Sequence, residues 1–133
     1  MSVDLSRLRQ QLWQQYRALA HTLRTLQRQP PMVQGSCYLL QRTCGKPACR
    51  CTRGQRHATW VLTRSEAGQS RLYSVPAAQR RRLQVLTREY RRWQLARARL
   101  VKQTAALLVR VDQLAEGRLQ PWPPPAAHEP GTD

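Results

Sequence analysis

Acidic residues are scarce in this 133-residue chain: seven Asp and Glu stand against 23 Lys and Arg, giving a formal charge of +16 and a pI of about 11.5. So few carboxylates leave no pair spaced for general acid and base work, and no nucleophile with a neighbouring base stands out, so no enzyme is expected. Lysine is nearly missing too, with Lys46 and Lys102 alone beside 21 arginines. No stretch approaches the ~18 apolar residues of a membrane span, which argues against a membrane partner. The opening Met-Ser-Val-Asp-Leu-Ser-Arg has neither the basic segment nor the apolar core of a secretory signal, so the expected location is cytoplasmic. Cysteine is limited to four residues. In a reducing compartment these read as metal ligands or free thiols in preference to disulfides.

What the chain has is arginine and helical periodicity. An excess of positive charge this large points to a polyanionic partner, most simply nucleic acid or an acidic membrane surface. Apolar residues at Leu5, Leu8, Leu12, Tyr16, Leu19, Leu23 and Leu26 fall in steps of three and four and predict a helix. Pro30 and Pro31 must end it. A longer seam runs through Leu83, Leu86, Tyr90, Trp93, Arg97, Leu100, Thr104, Leu107, Val111 and Leu114, the pattern of a coiled coil with two polar members. Nearly opposite the seam, Arg81, Arg88, Arg92, Arg99 and Arg110 lie within roughly 40° of one another at about 100° per residue. Such a one-signed face repels itself and stays helical only through its seam or by meeting anions, whereas a merely solvated face usually mixes signs.

Between the helices, Ser36–Gln41 reads as a short strand, and Ala58–Arg64 and Ser70–Val75 read as a hairpin around Gly68. Tyr38, Trp60 and Tyr73 on those strands either stack bases or, more simply, pack against a helix. The intervening segment carries Cys44, Cys49 and Cys51, followed by His57, with Cys37 upstream. Four ligands of thiolate and imidazole type suit a closed, structural zinc. We read the set as Cys44, Cys49, Cys51 and His57, with Cys37 as the alternative fourth ligand. Lys46, Arg50, Arg53 and Arg56 crowd this segment and extend the candidate phosphate-contacting set of Arg81, Arg88, Arg92 and Arg99.

Gly35-Ser36, Cys44-Gly45-Lys46-Pro47-x-Cys49-Arg50-Cys51, Gly54, His57, Gly68 and Val75-Pro76 resemble a small bacterial domain family built on a CGKPxCxC...H core. The likeness runs from about Gly35 to Trp93. It departs at His57-Ala58-Thr59-Trp60, where the family usually has His-Gly-Pro and an aromatic residue. Members are often encoded near transposases, so the resemblance implies a DNA-transaction accessory linked to a mobile element. The expected fold is α+β: two long helices forming an antiparallel coiled-coil hairpin, with a zinc-stapled three-stranded β module between them. The expected division is an N-terminal helix over 1–29, the zinc-binding module over 35–76, a basic helix over 77–117 and a disordered Pro-rich tail over 118–133. The expected function is nucleic-acid binding through phosphate contacts. The alternative is a protein–protein interaction module, pairing with a transposase-like partner or a second copy through the seam.

Overall fold

A computed structural model describes residues 4–42 and 57–126. In order they form α1 (Leu5–Leu26), β1 (Ser36–Arg42), β2 (His57–Glu66), β3 (Gln69–Ser74), a single 3-10 turn over Ala77–Gln79, and α2 (Arg80–Glu116). The chain is thus α+β, with two helices and one antiparallel sheet in the order β1-β2-β3. It divides into two compact units, one built from Met1–Arg24 with Arg99–Asp133, the other from Thr25–Ala98.

The second unit holds the sheet. β2 is rich in β-branched and aromatic residues and occupies the centre, so both of its ladders are filled. The β1–β2 register runs from Ser36 opposite Thr63 to Arg42 opposite His57. Glu66 pairs with Gln69, leaving a two-residue turn at Ala67 (φ 51°) and Gly68 (φ 80°). Two positive φ values match the right-handed twist of a hairpin, and glycine supplies one without cost. Trp60 accepts a further backbone bond from Val75 (2.9 Å), which extends the ladder up to Pro76. Proline there lacks a donor and holds φ at −60°, suiting the turn that leads into α2.

Val61, Leu62, Val75 and Ala96 form the buried apolar core, all within this unit. The segment between α1 and β1 is fastened to α2 twice: Val33 N donates to Leu86 O (3.1 Å), and Arg28 reaches Glu89 (3.7 Å). Gly35 turns the chain into β1 at φ 131°. A Cβ there would lie 2.6 Å from Thr63 O and 3.1 Å from Leu62 Cδ1.

In the first unit Asp4 caps α1, its Oδ1 accepting from Arg7 N (3.1 Å). Gln15 Nε2 donates to Ala106 O (3.4 Å), and a Cβ on Gly117 would strike Leu5 Cδ2.

Two parts of the expected fold are corrected. A coiled-coil hairpin would seat its seam residues as knobs in holes. None of the predicted seam residues of α1 or α2 is buried, and Tyr16, Leu23, Arg97, Thr104 and Val111 are exposed. The buried helical residues are Thr22, Thr87 and Ala96, one position before Leu23, after Leu86 and before Arg97. Threonine tolerates those sites because its hydroxyl bonds back along the helix: Thr22 to Ala18 O (3.2 Å) and Thr87 to Leu83 O (2.7 Å). The zinc-stapled module is likewise not what the described residues show. Among them no group of three or more His, Cys, Asp and Glu could hold a metal ion, and the sheet rests on its two ladders and its small core. Cys44, Cys49 and Cys51 lie outside the described residues, as does the His57 side chain.

Candidate nucleic-acid interface

Within the sheet-bearing unit the described acids are Glu66 and Glu89, and both are engaged. Glu66 Oε1 accepts from Arg64 Nε and from Tyr73 Oη, each at 2.6 Å, and Arg71 Nε stands 3.9 Å from Oε2. The Tyr73 hydroxyl and then the Arg64 guanidinium hold the Glu66 carboxyl below the usual range, and the same carboxylate pushes Arg64 up. Glu89 Oε1 takes Arg92 Nη1 at 2.9 Å and Arg28 Nη2 at 3.7 Å.

The remaining guanidiniums of this stretch of α2 have no carboxylate partner among the described residues. Arg81 and Arg88 are exposed, as is Arg91, which is not on the predicted stripe. Arg81 and Arg82 line a groove with Arg28, Pro30 and Pro31. A second groove joins the head of β1 (Gly35, Ser36 and Cys37) to Gln84, Thr87, Arg88 and Arg91 of α2. Arg92, expected to be a free phosphate contact, is half neutralised by Glu89. In the other unit Arg99 is exposed, whereas Arg110 is half-buried and donates to Gln113 Oε1 (2.9 Å). Lys46, Arg50, Arg53 and Arg56 lie outside the described residues.

The strand aromatics do not form a bare stacking platform. Arg80 sits 5.1 Å from the centroid of Trp60 and Arg64 5.1 Å from that of Tyr73, so each ring faces a cation. Tyr38 is exposed at 40%. Arg80 and Arg91 are the residues that periodicity missed. The only signal for them is the arginine run of Arg80-Arg81-Arg82 and the doublet Arg91-Arg92, which does not say which side chain faces the sheet.

Cys37 is half-buried at the head of β1, and burial pushes its thiol up from the usual value. It lies five residues from Arg42, or about 17 Å along the strand at ~3.3 Å per residue. Arg42 pairs with His57, so the two ends of the cysteine-bearing segment meet at the opposite end of the strand from Cys37.

Among the described residues no helix is long and apolar enough to cross a membrane. Comparison with curated proteins and with solved structures yields no match. A family model covers residues 3–85, taking in α1, the sheet and the first turns of α2, and the chain therefore belongs to the family described as Domain of unknown function (DUF6788).

Proposed function

We propose that the protein binds nucleic acid, DNA in the first instance, through phosphate contacts along α2, as an accessory factor of a mobile element. The observation that carries this reading is the charge balance of the sheet-bearing unit, in which both described acids are engaged while Arg81, Arg88 and Arg91 are exposed without a carboxylate. Guanidinium forks suit phosphate oxygens bidentately. Among the described residues no set of side chains for reading base edges is evident, so binding rests on charge and tolerates sequence. Titration of a labelled duplex at increasing salt tests it. Three phosphate contacts give a slope of about −3 in log K against log salt. Affinity unchanged between low and physiological salt rejects the reading.

The zinc proposal concerns the segment holding Cys44, Cys49 and Cys51, with His57 as the fourth ligand. The β1–β2 register supports His57 over Cys37, because His57 starts β2 where that segment rejoins the sheet. Bound there, the ion would be structural, with all four positions filled by protein.

A second reading, an interaction module, is favoured by a different observation. In the first unit Leu12, Trp13, Tyr16, Leu107 and Val111 line an open apolar groove, with Trp13 63% exposed. Exposed apolar surface of this kind is common at protein contacts. Sedimentation of the protein alone and with duplex separates the two: self-association abolished by Trp13→Ala and indifferent to salt favours the module.

A further inference from the structure

We propose that the groove between β1 and α2 is a phosphate-binding notch, with Arg88 and Arg91 as the cations and Ser36 and Gln84 as neutral donors. The inference rests on the nucleic-acid reading but makes a separate claim, that one concave site takes a single phosphate group. Gln84, Arg88 and Arg91 follow one another at i, i+4 and i+7 and so share a face of α2. β1 supplies the opposite wall, with Gly35, Ser36 and Cys37 at its head. Thr87 completes the floor without competing for a ligand, because its hydroxyl already donates to Leu83 O (2.7 Å), with Gln84 O at 3.3 Å.

Among the described residues that line it there is no carboxylate. Glu66 and Glu89, the described acids of this unit, are held by Arg64 with Tyr73 and by Arg28 with Arg92. Two guanidiniums therefore converge on the notch with their charge uncompensated among the described residues. Their combined charge matches a phosphate dianion, and their fork geometry matches its oxygens. A volume of about 340 Å³ leaves ample room for one such group. The phosphate could come from the free anion, from the end of a nucleic-acid strand or from its backbone.

Cys37 lines the same notch and reports on its occupancy. The experiment follows alkylation of Cys37 in the full chain by peptide mass mapping, which separates this thiol from the other three. Inorganic phosphate, a 5′-hydroxyl oligonucleotide and the same oligonucleotide with a 5′-phosphate are compared, with Arg88→Gln/Arg91→Gln as the control; both positions are exposed, and circular dichroism checks the fold. The expected result is a severalfold slower Cys37 reaction with phosphate, lost in the double variant. Greater protection by the 5′-phosphate strand supports the proposal with strand ends as the source, and equal protection by both strands supports it with backbone phosphate as the source. Protection by inorganic phosphate alone, with no oligonucleotide bound, supports the notch and rejects the nucleic-acid reading. An unchanged Cys37 rate in every arm, or protection that persists in the double variant, overturns the notch even where the oligonucleotide binds by other measures.

Discussion

Glu66 shows how one carboxylate organises a strand pair. It accepts from the Tyr73 hydroxyl and the Arg64 guanidinium at once, and Arg64 in turn lies over the Tyr73 ring, so the three side chains lock across β2 and β3. The folded state depresses the Glu66 pKa, so this group's contribution is present above the ordinary carboxylate value of about 4.3 and is lost as pH falls through the depressed value. Tyr73→Phe removes the larger cause. Its expected effect is a Glu66 titration midpoint moved up toward the ordinary value, read by NMR of the side-chain carboxyl, with the acid limb of hairpin unfolding moving up with it. A midpoint that stays where it was would assign the depression to Arg64 instead.

At the scale of elements, the helices and strands were legible and the packing was not. Three-and-four steps marked α1 from Leu5 to Leu26, where the helix runs, and the β-branched and aromatic runs marked the three strands. The inward face escaped because Thr22 and Ala96 sit inside while Leu23 and Arg97 sit outside. Side-chain hydropathy does not record that a threonine hydroxyl is satisfied by its own helix. The same limit applies to the interface: periodicity grouped Arg81, Arg88 and Arg92, but it placed neither Glu89 beside Arg92 nor Arg91 beside β1. In the sequence Gly35 stands out only as part of a motif; the fold makes it a steric requirement. Gly35→Ala must abandon φ 131° or push a methyl onto Thr63 O, and an expected loss of about 2 kcal/mol or more would be read from the urea midpoint. A loss below about 0.5 kcal/mol would mean the β1 entrance relaxes freely.

For the whole molecule, net charge sets the behaviour, and Glu66 and Glu89 are placed where each removes a share of it. Glu89→Gln releases Arg28 and Arg92 together and raises the formal charge by one. Duplex binding is expected to tighten roughly two- to fivefold at low salt, while thermal stability falls by less than about 1 kcal/mol because both arginine partners are exposed. Weaker binding in that variant would mean that Glu89 positions the arginines more than it neutralises them. Family membership over residues 3–85 includes Ser36, Cys37 and Gln84 but stops short of Arg88 and Arg91. The basic half of the notch is therefore carried by a stretch beyond the matched region.

The pairing of Arg42 with His57 means that the chain leaves the sheet and rejoins it at the two sides of one rung. The span between them, 43–56, joins two ends that are already paired, so another sequence grafted in its place is expected to leave the backbone partners of β1 and β2 as they are. Splicing Asn-Gly in its place would close the gap as an ordinary two-residue hairpin. The spliced chain is expected to keep its sheet signal and a cooperative melt, and a melt that vanishes would show that the excised span is needed to hold the strands together.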